Sequence, residues 1–325
     1  MKNAFGQKIP ELDELFGNQQ LYNFIQRTLI SVLDEIKPSI SSVEHDKLVY
    51  NLLAVASYQP RMLEDSVLQK KITEELAHEL LEEAGYTPPI IKKALSGRAQ
   101  TVYSQIAPHV QGTVLDLGCG DGRIGRMLAD AGHNVTLADV YKNPNIDSTG
   151  LEFTLFGQGE SVPTTRQYDT TLLLTVMHHS DDPMATLGDA QRRTKNGGNI
   201  VIIESVYGIV PDVTEPSHGI VADQISAQFK SLSSEQQRRA NIFFDHFYNR
   251  IIHYSKDPAK KVNVTFNFRS PKQWDNIFKS LGLKQTHFEY LGIDQPAVPE
   301  YHTLHILKVQ NPSKLTLLLD STKHA

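Results

Sequence analysis

Two short stretches carry residue types that could do chemistry. The first is Val114-Leu115-Asp116-Leu117-Gly118-Cys119-Gly120-Asp121-Gly122-Arg123-Ile124-Gly125. An apolar run holding one acid ends in three alternating glycines, and Ile124, Met127, Leu128 and Ala131 then repeat at helical spacing. That order reads as strand, tight turn and helix. Glycine supplies the positive φ such a turn needs and lets a ligand approach the backbone with no Cβ in the way. The N–H groups opening the helix point at whatever lies over the turn, so a nucleotide-like ligand is expected. The second stretch, Thr175-Val176-Met177-His178-His179-Ser180-Asp181-Asp182-Pro183, is the polar end of an apolar run that starts at Tyr168. Neutral imidazole accepts a proton near pH 7, which makes His178 and His179 candidate general bases. A loop-orienting role by hydrogen bonding alone stays open for both.

Other residues offer supporting chemistry. Asp139 ends the run Val135 to Asp139, and an acid about twenty residues beyond the first glycine can accept both hydroxyls of a ribose. Within Ile242 to His253, a continuous helix would put His246, Arg250 and His253 on one face, beside a stripe of Phe243, Phe247 and Ile251. The Arg250 fork suits a carboxylate or phosphate, with a surface ion pair as the equal alternative. Glu74 and His78, four apart, read as a solvated helix face. His178, His179, Asp245, His246 and His253 could hold a transition metal only if their segment folded over the cofactor. No spacing among them demands it, and no metal is expected.

The elements that must position these groups follow from periodicity. Residues 1–105 read as helical. Leu21, Phe24, Ile25, Leu29, Val32, Leu33 and Ile36 mark one helix, stopped by Pro38. Ser42 through Leu48, Leu52, Leu53, Val55 and Ala56 mark a second, ending near Tyr58 to Pro60. Val67, Leu68, Ile72, Leu76, Leu80 and Leu81 mark a third, closed by Gly85 and Pro88-Pro89, and a short fourth carries Tyr103. This region serves as a cofactor cap or as a homodimer surface. From Thr113, strand and helix alternate, the mark of a parallel sheet. Between Tyr207 and Arg269 lies a helical insertion. Pro271 to Leu281 reads as a helix, Leu283 to Leu291 and Tyr301 to Gln310 as closing strands, and residues 311–325 as a tail in which Leu315 to Leu319 could pack back.

Composition narrows the class. The chain has 325 residues, long for one minimal α/β domain, and a formal net charge of -5 that weighs against nucleic acid as partner. Its one cysteine, Cys119, rules out an internal disulfide framework. No run reaches the ~18 apolar residues of a membrane span, and the N-terminus shows no apolar signal core, so a cytoplasmic protein without membrane contact is expected.

The string from Asp116 to Gly122 resembles motif I of class I S-adenosylmethionine-dependent methyltransferases. It also matches the dinucleotide fingerprint G-x-G-x-x-G, but a dinucleotide strand should run into Gly120, and this one runs into Gly118. Gly157-Gln-Gly-Glu-Ser-Val-Pro163 resembles the "G-D-A-E-x-L-P" stretch of the ubiquinone/menaquinone-methyltransferase-like branch, with Gln158 in place of the adenine-binding Asp. The run into His178-His179-Ser-Asp-Asp-Pro183 is similar to motif IV, and Thr194 to Ser205 to the turn and fifth strand.

The resemblance implies an α/β, Rossmann-like sheet of seven mostly parallel strands with the last antiparallel, carrying the N-terminal helical region and a lid-like insertion at 207–269. It implies that S-adenosylmethionine, leaving as S-adenosylhomocysteine, is held by Asp116, Gly118, Cys119, Gly120, Asp139, Gln158, Gly159 and Thr175. Methyl transfer to O, N or C of a small molecule would follow, with His178 and His179 at the reacting centre. Glu204, at the ligand end of strand five, joins His246, Tyr248 and Arg250 as expected substrate contacts. Arg250 favours a carboxylate-bearing acceptor. A macromolecular methyltransferase, a non-catalytic cofactor-binding scaffold and a dehydrogenase are the alternatives.

Overall fold

The computed structural model describes residues 17–38, 42–56, 73–257 and 260–310. Tyr58 to Pro60, Val67, Leu68, Ile72 and Leu315 to Leu319 lie outside them. The strands are β1 (Thr113–Leu117), β2 (Asn134–Asp139), β3 (Glu152–Leu155), β4 (Tyr168–Leu174), β5 (Thr194–Ser205), β6 (Lys284–Gly292) and β7 (His302–Lys308). They form one sheet in the order β3-β2-β1-β4-β5-β7-β6. The neighbours from β3 through β5 pair in parallel. β7 runs against β5: Gly197 N donates to Val309 O at 2.9 Å and Val309 N to Gly198 O at 3.1 Å, so the start of β5 meets the end of β7.

β1 and β4 are buried along nearly their whole length. That suits central parallel strands, which are covered on both faces and need apolar runs rather than alternation. β1 lies between β2 and β4, so the chain leaves β1 toward one side of the sheet and β4 toward the other. Ligands of open α/β sheets bind at such a switch, beyond the carboxyl ends. The glycine loop follows β1 and the histidine pair follows β4, which brings both stretches to that crevice.

The helices follow local signals. Helix Arg123–Asp130 packs on β2, and Gly125 permits the approach because a Cβ there would run into Leu137. Helix Pro183–Arg193 is capped by Asp182, whose side chain accepts from Met184 N and Ala185 N, and it packs on β4 and β5. Helix Pro271–Ser280 opens on a Ser270/Gln273 capping box and buries Trp274 and Phe278.

The chain divides into two compact units. One holds the chain up to Arg98, Val206–Phe268 and Leu291–His302; the other holds Ala99–Ser205, Arg269–Tyr290 and the chain from Thr303. In the first unit, Phe24 of helix Gln19–Ile36 meets Phe229 of helix Ile220–Ser231 at 6.0 Å and Phe244 of helix Ser234–His246 at 6.3 Å. Phe243 stands edge-on to Phe244 at 5.2 Å and stacks on Phe247 at 6.0 Å, so these rings form the core of that unit.

Two local expectations change. Pro88-Pro89 opens a short helix, Pro88–Ala94, instead of closing the one before it, since proline fits the first helical positions, where its missing N–H costs nothing. Ile242 to His253 is not one α-helix. The α-helix ends at His246, and Phe247–Ile252 continues as a π-helix whose wider turn breaks the seven-residue alignment. His253 consequently leaves the face shared by His246 and Arg250 and is exposed, its ring 4.8 Å from Tyr248.

Candidate active site

The three loop glycines have φ of 79°, 55° and 75° at Gly118, Gly120 and Gly122. Gly118 N and Cys119 N both donate to Ala138 O, at 2.8 and 3.2 Å, and Gly122 N donates to Cys119 O at 2.9 Å. The loop is therefore tied to the end of β2. The first two glycines do different work. A Cβ on Gly118 would lie 2.5 Å from Val176 Cγ2, whereas one on Gly120 would meet nothing within 4 Å. Gly118 allows the β4 turn to pack, and Gly120 keeps an open cradle.

Asp139 borders that cradle. Its Oδ2 accepts from Gly120 N at 2.8 Å and its Oδ1 from Tyr141 N at 3.2 Å. Each oxygen retains acceptor capacity for a second donor, such as a ribose hydroxyl. Burial pushes this carboxyl above its ordinary range, against the pull of the backbone N–H groups. Asp116, only 2% exposed, is pushed up to about 7, first by burial and then by the charges of Asp139 and Asp121. Burial and the same acids hold the Cys119 thiol far above its usual range, so Cys119 offers no thiolate nucleophile. A cradle lined by acids fits the ammonium and sulfonium of S-adenosylmethionine and repels the pyrophosphate of a dinucleotide.

The turn after β4 is built around a buried carboxylate. Thr175 sits at φ 59°, a left-handed conformation that costs a non-glycine residue about 1–2 kcal/mol. Its N–H donates to Ile203 O at 2.7 Å, which helps hold it there. Val176 N and Met177 N then donate to Glu204 Oε1 at 3.1 and 2.7 Å, and His178 Nδ1 lies 2.7 Å from Glu204 Oε2. Glu204 is 0% exposed and His178 1%. The His179 ring packs on His178 at 4.1 Å and is half-buried. The sequence reading placed Glu204 among substrate contacts, but both of its oxygens are engaged by the His178 turn. A charged residue ending a buried strand was the available signal, because such a carboxylate must find donors.

On the loop after β3, Gly157 N donates to Glu160 Oε2 at 3.1 Å and Gly159 has φ 75°. Exposed Gln158 lies near Asp181, its Nε2 3.5 Å from Oδ2. That contact is too long to fix the amide.

The remaining predicted residues lie in the other compact unit. Arg250 Nη2 is 3.0 Å from Glu74 Oε2, and Nη1 donates to Val262 O at 3.2 Å. His246 Nε2 is 3.2 Å from Glu74 Oε1. Burial would raise Glu74, but His246 and Arg250 outweigh it and hold the carboxyl below its ordinary range. Burial lowers His246, with Glu74 partly opposing. Glu74 is thus no solvated face: it is 6% exposed and is the common partner of His246 and Arg250. Nor is Arg250 a surface ion pair, since it is itself buried. Tyr248 is half-buried.

A family model described as "Methyltransferase domain" matches residues 69–287. No curated protein sequence matches the chain. Among solved structures, the Burkholderia thailandensis 1,6-didemethyltoxoflavin-N1-methyltransferase, with bound 1,6-didemethyltoxoflavin and S-adenosylhomocysteine, is similar at 12% identity and TM-score 0.41. The alignment covers 84% of this chain and 92% of that one. A SAM-dependent methyltransferase from Methanosarcina mazei is similar at 16% identity and TM-score 0.43, over 64% of this chain and 98% of that one. With the family model covering more than half of its length, on a sheet ordered 3-2-1-4-5-7-6, the chain belongs to the class I S-adenosylmethionine-dependent methyltransferases.

Proposed function

We propose that this methyltransferase acts on a small-molecule acceptor, with the methyl donor held over the glycine loop and the reacting centre at the His178 turn. The observation that carries this reading is the convergence of the acidic, open cradle at Gly120 and Asp139 with the Glu204-supported His178 turn at one switch point of one sheet. S-adenosylmethionine, when bound, supplies a methyl group already activated on a sulfonium. Gly118, Cys119 and Gly120 would hold its amino-acid end beside Asp116, Asp139 its ribose, and the 157–159 loop its adenine.

His178 is the nearer candidate for holding the acceptor's proton, and His179 packs on it. Arg250 is already matched by Glu74, so its pairing gives no support to a carboxylate-bearing acceptor. A net charge of -5 favours a small molecule over nucleic acid.

Calorimetry against S-adenosylmethionine, S-adenosylhomocysteine and NAD tests the cofactor: the first two should bind and NAD should not. Asp139→Ala should weaken binding by about 1.5–3 kcal/mol, the range for hydrogen bonds to a charged group. Transfer of labelled methyl to a panel of small phenols, amines and acids, run beside RNA and protein pools, tests the acceptor. Label found only in RNA or protein would overturn the small-molecule reading.

A further inference from the structure

We infer that Asn241 is a substrate-binding residue: its Oδ1 takes a hydrogen bond from an O–H or N–H group of the small molecule that is methylated. The ligand class is a donor-bearing molecule, uncharged or cationic, and a carboxylate is disfavoured. That this ligand is the methyl acceptor rests on the methyl-transfer reading; that a donor-bearing ligand binds here does not.

Helix Ser234–His246 carries Gln237, Asn241 and Asp245 at four-residue spacing, so the three share one face, and none is more than 1% exposed. Polar groups buried in this way need partners. Gln237 shows an amide satisfied by the chain itself. Its Oε1 accepts from Ile209 N at 2.8 Å, and its Nε2 donates to Ile209 O, Phe229 O and Leu232 O at 2.7, 3.2 and 3.1 Å. Asp245 Oδ1 accepts from Asn249 Nδ2 at 2.7 Å. Asn241 differs from both. Its Nδ2 donates to Val206 O at 2.9 Å, which fixes the amide, since a carbonyl only accepts and the nitrogen must face it. That leaves Oδ1, and no donor among the described residues reaches it.

The place of this atom points to the missing donor. Val206 is the residue directly after β5, and its N–H donates at 2.8 Å to the carbonyl of Tyr301, the residue directly before β7. Asn241 is therefore anchored just past the carboxyl end of β5, the end at which open α/β sheets bind ligands. The atom is closed to bulk water, which suits a methyl transfer that must keep water from the reacting centre. A site that hydrogen-bonds an O–H or N–H rejects the analogue lacking it, because its own buried polar atom is then left unpaired. The lone pairs of Oδ1 offer nothing to a carboxylate, which needs a donor.

Calorimetry on the full-length protein, with no methyl donor added, uses probes of similar size: phenol and aniline, their methylated counterparts anisole and N,N-dimethylaniline, and benzoate. Wild type should bind phenol and aniline at least about tenfold tighter than the methylated pair, and benzoate weakest of all. Asn241→Leu removes the oxygen at similar volume and should shrink that preference to under about twofold. Asn241→Asp keeps an oxygen acceptor and should retain it. An enclosed water would also satisfy Oδ1, and its mark is a wild type that binds none of the probes, or binds parent and methylated probes alike. Either result overturns the proposal, and neither needs a variant to fold. A preference that survives in Asn241→Leu, or is lost in Asn241→Asp, overturns it as well. If no label passes from S-adenosylmethionine to any acceptor while the probe preference stands, the methyl-transfer reading fails and the binding site survives.

Discussion

At the scale of single residues, Asp116 gives the clearest quantitative consequence. Its carboxyl sits at about 7 in the folded chain, against an ordinary 3.8. The folded state therefore binds more protons than the unfolded one between those values, so stability falls as pH rises through that window. The penalty is complete above about pH 7 and absent below about pH 4. In the ligand-free protein, Asp116→Asn should raise the melting temperature most at alkaline pH, with the gain shrinking to nothing toward pH ~4. A difference that is flat with pH would show that Asp116 titrates normally.

The glycines divide in a comparable way. Gly120→Val places its side chain in open space, so it should block S-adenosylmethionine while costing only the ~1–2 kcal/mol of a left-handed non-glycine residue. Gly118→Ala instead strikes Val176 and should lower the melting temperature by more than Gly120→Val does. The reverse order in melting scans would refute this division. The string of residues could not reveal it, since the neighbour a Cβ on Gly118 would meet, Val176, sits on a turn almost sixty positions later, and nothing stands over Gly120. The position of Asp139 at the end of β2 was legible because it depends only on strand length and spacing. The task of Glu204 was not, because its partners belong to another loop.

At the scale of elements, the informative departure is the π-helix Phe247–Ile252. Helical periodicity predicted His246, Arg250 and His253 on one face, and the widened turn retains only the first two. Nothing in an apolar pattern reports a π-turn; the backbone register answers to what the side chains bind, here Glu74 of helix Thr73–Glu83. His78 Nδ1 adds a contact to Ile251 O at 2.9 Å. Glu74→Ala should therefore destabilise by about 3–5 kcal/mol, because Arg250 is left buried without its carboxylate. Lys256→Ala is the control. Lys256 pairs with Glu75 at 2.8 Å but is 80% exposed, and such solvated pairs contribute little to stability. Urea denaturation of the two variants decides it, and equal losses would mean that the buried cluster is no clasp. The strands, by contrast, were readable nearly to their ends, since central parallel strands are apolar on both faces and punctuated by turn residues.

At the scale of the whole molecule, the chain pattern does not match the units it forms. The sheet interrupts one compact unit twice, so residues near the start of the chain share a core with the insertion and with the connection between β6 and β7. Apolar stripes could be read on each helix, but not which stripe meets which, because nothing local distinguishes one complementary face from another. Phe24 shows the consequence: its ring contacts are Phe229 and Phe244, more than 200 positions away. Segments that share a core lose their hydrogen-exchange protection together, whatever their separation in sequence. Phe24→Ala opens a cavity between three helices and should cost about 3–5 kcal/mol. Hydrogen exchange should then speed up in Ile220–Ser231 and Ser234–His246 as much as in Gln19–Ile36, while β1 and β4 keep their protection. Faster exchange confined to Gln19–Ile36 would show that the N-terminal helix is an attachment to the insertion and not part of one cooperative unit with it.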